Sequence, residues 1–429
     1  MSVQAGPVNR RWPTSIDFRR FVSRGDTVAW THAGGEPQSL VAQLLDQRHR
    51  LGGNIRVFLT GVSFSETLQP DHADVIRFTS IGGIGTHQRL ARAGCLDVLP
   101  CRYSDLPGLI AGHRVQIDVA LFSGSLPDAD GRISLGPTMA VARDVLETAR
   151  VAIVEINPNV PYVLGDTIVD LSEFDAVTWS EEPLVAAPTS NKPLSAEAEQ
   201  VCRNVAKLIP DQSTLQLGFG SVGSALPRFL ASRSDLGLHS AILTDEIADL
   251  IESGAANGGA KELDAGMAVA GELLGTGRLY RFADRNRDVA LRRTSYLLGE
   301  DVLSRFRSLV SVNGALEVDL TGQVNAESRH GVHVGAVGGS VDFVRAAARA
   351  PNGTSIIALP STTSNHRSRI VPTLDHGVVT TPRSEVEVVV TEYGAADLRG
   401  RSLRDRAQAL IQIAHPDHRP SLSALEVVS

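Results

Sequence analysis

"STLQLGFGSVGSALPRFLAS", residues 213 to 232, runs from an apolar stretch through a cluster of glycines into a helical pattern. Strand, glycine turn and helix in that order are the repeating unit of α/β folds with parallel strands. "DTVAWTHAGGEPQSLVAQLL" (26 to 45) has the same order, with Leu40, Leu44 and Leu45 on one helix face. A second echo follows in each half: "VALFSGSLPDADGRISLG" (119 to 136) and "SLVSVNGALEVDLTGQVNAES" (308 to 328). Each reads as an apolar strand, an acidic turn ending in glycine, and another strand. Two echoes in the same order predict a duplicated α/β unit. Between them, "SEEPLVAAPTSNKPLSAEAEQ" (180 to 200) is rich in proline and small polar residues, and Ser195 is placed to cap a following helix. The domains are therefore expected at 1–189 and 190–429, both open and α/β.

Bulk properties narrow the function. The 429 residues are 42% hydrophobic and 21% charged, with a formal net charge of −7. That balance suits a globular chain and gives no electrostatic case for nucleic acid or anionic membrane. Cys95, Cys101 and Cys202 are too scattered for a disulfide frame or a zinc site. Reduced thiols, no apolar run long enough to span a bilayer, and an N-terminus without an apolar core predict a cytoplasmic protein.

The glycine turns carry the first chemical signal. "GFGSVG" (218 to 223) satisfies G-x-G-x-x-G between strand and helix, and Asp245 and Glu246 end the next strand about twenty residues later. That pattern is formally a dinucleotide fingerprint. Alternatively, Gly218 and Gly220 only permit a sharp turn and close packing, or the turn's N–H groups face a substrate oxygen. A second glycine run, "GVHVGAVGGSVDF" (331 to 343), favours the last reading, because two such loops can surround a carbonyl.

Several blocks in combination resemble the acetyl-CoA hydrolase/transferase family of class I CoA-transferases. They include "SLGPTMAVARDVLETARVAIVEINPNVPYVLGD", "VNGALEVDLTGQVNAES", "GAVGGSVDFVRAA", "IIALPSTTSNHRSRIVPTL" and "VVVTEYGAADLRGRSLRDRAQALIQIAHPD". The resemblance spans nearly the whole chain and is densest in the second half. It implies two open α/β domains of the CoA-transferase type, a CoA thioester bound between them, a carboxylic acid acceptor and a homodimer. Coenzyme A would enter as part of the substrate, and no metal is expected. In such enzymes a glutamate attacks the acyl-CoA carbonyl and CoA passes through an enzyme-bound thioester, which splits one hard exchange into easier steps. Donors for the resulting oxyanion are expected at Gly335, Gly338 and Gly339, with Gly218 and Gly220 as the neighbouring wall and Asn325 nearby. Glu392 of "VTEYG" matches a second carboxylate.

The resemblance breaks at the nucleophile. Aligning "LHSAILTDEIADL" (238 to 250) on His239, Asp245, Asp249 and Leu250 places Ala241 where relatives carry that glutamate. A methyl group cannot attack a thioester, so the usual exchange mechanism is not open to this chain. Glu246 stands where glycine is usual, Leu298 replaces an asparagine, His87 another asparagine, and His32 enters a glycine-rich turn. Three readings follow: direct activation of water by Glu392, Glu246 or His87; a transferase whose nucleophile was replaced by design; or an acyl-CoA-binding protein without turnover. His239 shares a strand face with Ala241, although a structural histidine is the simpler account. His330 and His333 lack an acid or thiol at ligand spacing, and Glu327 and Asn325 can simply order their loop.

Overall fold

The computed structural model describes residues 12–188, 193–374 and 377–424. The first half forms one sheet of seven parallel strands. Their order is Leu96–Val98, Ile76–Ser80, Ile55–Leu59, Thr27–Trp30, Val119–Gly124, Val151–Ile156 and Ala176–Trp179. Val119–Gly124 and Val151–Ile156 are buried along their whole length, as strands covered on both faces must be. Strand order reverses between Thr27–Trp30 and Val119–Gly124.

The second half repeats this order as Val289–Leu291, Ala268–Leu273, Gly237–Leu243, Thr214–Leu217, Leu309–Gly314, Thr354–Ala358 and Val388–Thr391, closed by the antiparallel edge Gly394–Asp397. Its reversal lies between Thr214–Leu217 and Leu309–Gly314. The strands that echo in sequence therefore hold equivalent central places in the two sheets, and the expected pair of related open α/β units is observed. The boundary expected at 189/190 lies outside the described residues.

Local chemistry sets the element ends. Helix Gln38–Gln47 buries Leu40, Leu44 and Leu45 together, as their spacing requires. Ser195 Oγ accepts from the Ala198 N–H at 3.2 Å and starts helix Ala196–Ala206, a cap contributing about 1 kcal/mol. Thr244 caps helix Asp245–Glu252 in the same way.

The halves interlock. One buried apolar cluster runs from Phe122 and Val154 in the first sheet to Leu217 and Leu243 in the second. Gly271 O accepts from the N–H groups of Met139 and Ala140 at 2.9 and 3.1 Å, and Gly338 O accepts from Tyr103 N–H at 2.9 Å. A Cβ at Gly82 would stand 2.1 Å from Gly335 O, so only glycine allows the two backbones this approach. The carboxyl ends of both sheets consequently face one another.

Candidate active site

Between those carboxyl ends lies a cavity of about 380 Å³. From the second half it takes Gln216 to Phe219 and Asn313 to Leu316, which flank the strand-order reversal, where α/β sheets bind ligands. From the first half it takes His32, Gly61 and Ile81, each just beyond a strand end.

The structure gathers part of the sequence-predicted site here. Ala241, Gly218, Gly335, Gly338 and Gly339 all line this cavity, as does Leu298. Gly338 has φ +58, and Gly339 packs against the Leu298 side chain. Gly218 abuts Asn313: a Cβ there would meet its Oδ1 at 2.6 Å. Beneath that contact Gln216 Oε1 accepts from Ser311 Oγ at 2.6 Å and from Asn313 Nδ2 at 3.0 Å. These buried side chains satisfy one another at the cavity floor, which makes the strand ends rigid.

Other predicted residues stand outside the cavity wall. Gly220 (φ +124) caps the short helix Ser221–Ala225 and serves the turn. Asn325 orders its own loop, donating to Ser328 O at 2.8 Å and accepting from the N–H groups of Glu327 and Ser328. Glu392 has both carboxylate oxygens engaged by Ser361, through its N–H at 2.8 Å and its Oγ at 2.6 Å. Glu246 pairs with Arg228 at 3.0 Å in the first turn of its helix. His87 is buried, and neither ring nitrogen finds a partner. Burial holds its pKa down at about 4, so at neutral pH it is an uncharged ring packed beside the cavity lining of Gly85 and Gln88. His239 is also buried: Nε2 lies 2.9 Å from Leu297 O and the ring centre 4.8 Å from that of Phe306. Burial lowers its pKa to about 4 as well, and its role is packing.

Sequence reading passed over the wall residue Glu272 and undervalued His32. Among the described residues lining the cavity, Glu272 is the one carboxylate and His32 the one imidazole. Parallel pairing sets Glu272 opposite Ile242, diagonal to Ala241 on the next strand. His32 Nε2 stands 2.7 Å from Glu272 Oε2, and His32 Nδ1 stands 2.8 Å from Thr60 Oγ1. Tyr103 OH donates to Thr60 O at 3.1 Å, behind the same wall. The available signal was "AVAGELLG" (268 to 275), a single acid interrupting an apolar run.

Comparison with known proteins follows the same two-part division of the chain. Residues 9–187 match the model of the acetyl-CoA hydrolase/transferase N-terminal domain, and residues 275–425 that of the C-terminal domain. The chain is 36% identical to the 4-hydroxybutyrate coenzyme A transferase of Clostridium kluyveri over 398 residues, 92% of each protein. Among solved structures it is similar to RipA from Yersinia pestis, with a TM-score of 0.89, 30% identity and 94% of each chain covered. The 4-hydroxybutyrate CoA-transferase of Porphyromonas gingivalis superposes with a TM-score of 0.78 at 31% identity, again over 94% of each chain. More distant relatives carry another activity in their names, such as the acetyl-CoA hydrolase of Kluyveromyces lactis, 25% identical over 72% of this chain and 65% of that protein.

Proposed function

Because the chain belongs to the acetyl-CoA hydrolase/transferase family, we propose that its cavity holds a CoA thioester and that it cleaves the thioester with water rather than by glutamate-mediated CoA transfer. One observation carries this reading. The cavity brings Ala241 together with Gly218 and the Gly335–Gly339 loop, so the wall expected around a thioester carbonyl surrounds a methyl group. Glycine loops at strand ends suit a developing oxyanion, because backbone donors can approach without a side chain in the way. Transfer needs a nucleophile able to hold the acyl group and then CoA, and alanine offers no atom for that bond. Water needs only a base and room, and the cavity has the room.

The test is release of free CoA from acyl-CoA, followed with a thiol reagent with and without added carboxylic acids. Release independent of acceptor supports water-dependent cleavage. Release that requires an acceptor overturns it in favour of transfer, and binding without release marks a non-catalytic acyl-CoA binder. Ala241→Glu should add acceptor-dependent exchange, since it puts a carboxylate at the position where the nucleophile is expected.

A further inference from the structure

We propose that Glu272 is the general base of this site, with His32 and Thr60 as the residues that position it. The inference rests on the thioester reading above and identifies the group that activates the water.

The hydrogen bonds of Thr60 fix one proton of the His32 ring. Thr60 Oγ1 donates its single proton to Trp30 O at 2.9 Å. It must therefore accept from His32, which puts a proton on Nδ1. The other ring nitrogen, Nε2, faces Glu272 Oε2 at 2.7 Å. Oε2 is buried and no donor is aligned on it, so the contact with Nε2 is a close approach and the carboxylate keeps its lone pairs. His32 is almost wholly enclosed, with 4% of its side chain exposed, whereas Glu272 keeps 14% and lines the cavity. The exposed member is thus placed to meet substrate water, and the enclosed member to hold it.

The backbone reinforces this placement. Thr138 Oγ1 donates to His32 O at 2.9 Å, and Thr138 bridges to Glu272 itself. The ring lies flat against Gly61, where a Cβ would come within 2.4 Å of Nε2. Residues from both halves therefore converge on one carboxylate, in the same cavity that Ala241 lines.

The step balances without any further reagent. Glu272 takes a proton from water as the water oxygen bonds to the thioester carbonyl carbon. Collapse of the tetrahedral intermediate breaks the C–S bond, and the proton held by Glu272 passes to the departing sulfur. The products are a carboxylic acid and CoA thiol, and Glu272 returns to its starting state.

The deciding experiment compares wild type with Glu272→Gln, which keeps the shape and removes the basicity. Thioester cleavage and calorimetric binding of a non-cleavable thioether analogue of acetyl-CoA are measured on both. The expected result is a fall in kcat of about 10²- to 10⁴-fold, the usual share of a general base, with analogue affinity retained. Near wild-type kcat in the variant overturns the role of Glu272 and leaves the hydrolytic reading standing. A wild type that binds the analogue but releases no CoA overturns the base while the thioester site stands. Failure to bind overturns both. A hydroxamate on Glu272 after hydroxylamine treatment, located by peptide mass spectrometry, overturns the base in favour of a covalent nucleophile. If Glu272→Gln does not fold, Glu272→Asp decides: retained affinity with a kcat at least tenfold lower supports the role, and unchanged kcat overturns it. His32→Gln keeps a polar side chain beside Thr60 and should retain more kcat than His32→Leu at equal KM. Equal losses in the two variants overturn its positioning role.

Discussion

Gly61→Ala isolates the contact on which the His32 ring depends. The added Cβ would stand 2.4 Å from Nε2, 2.5 Å from Cδ2 and 2.6 Å from Cε1 of His32. Ordinary contact begins at 3.4 Å, so the ring must retreat by 3.4 minus 2.4 Å, about 1 Å. It has nowhere free to go, being held by Thr60 at 2.8 Å and facing Glu272 at 2.7 Å. Gly61 does not lie in the left-handed region, so alanine adds no backbone strain and the whole effect falls on the ring. Overpacking of this kind costs about 1–3 kcal/mol. In a His32→Ala background the three nearest clashing atoms are gone, and the same substitution should cost less than about 0.5 kcal/mol. The double-mutant cycle should therefore give a coupling of about 1–3 kcal/mol. Urea midpoints at constant slope measure it, and thioester cleavage should fall in Gly61→Ala as the carboxylate loses its support. An equal cost in both backgrounds refutes the claim that Gly61 exists to seat the imidazole.

Three further predictions follow from the same structure. His87 and His239 are buried with pKa values of about 4, below the ordinary imidazole value of 6.5. The unfolded chain takes protons below 6.5 that the folded one refuses until about 4, so their stabilising share is complete above 6.5 and declines as pH falls through that window. Each represents about 3 kcal/mol over the window. Glu155, raised by burial to about 7, works in the opposite sense, because the folded state accepts its proton first. His87→Leu should flatten the pH dependence of the urea midpoint between pH 4 and 6.5, and an unchanged slope would contradict the orphaned ring. Gly335→Ala would drive a Cβ to 2.1 Å from Ala326 O, whereas Gly339→Ala meets only the Leu298 side chain at 3.0 Å. The first should cost more than about 2 kcal/mol and the second less than about 1.5 kcal/mol by thermal or urea unfolding, because a backbone oxygen cannot yield as a leucine can. Phe219, 54% exposed at the cavity rim and 6.3 Å from Phe64, offers an apolar face to an entering ligand. Phe219→Ala should raise KM for acyl-CoA about three- to tenfold, worth about 1 kcal/mol of lost contact, and leave kcat intact in steady-state assays.

Much of this protein was legible in one dimension because its determinants are local. Apolar runs followed by glycine and then helical spacing specify strand, turn and helix within about twenty residues, so Thr27–Trp30 and Thr214–Leu217 are recognisable as matching units from the sequence. The glycine loops and the vacancy at Ala241 were equally visible, since each depends on which side chain is missing. The base was not. Glu272 is 31 residues from Ala241 and 240 from His32, and nothing in those separations marks them as neighbours. Parallel register sets Glu272 diagonal to Ala241, and only the meeting of the two sheets' carboxyl ends carries His32 to within 2.7 Å of it. Conversely, Glu392, Glu246 and His87 had suitable chemistry in sequence, and the fold engaged the first with Ser361, the second with Arg228, and buried the third without a partner. Side-chain identity limits which reactions are possible. Burial and distance, which exist only after the chain has closed on itself, choose the group that performs one.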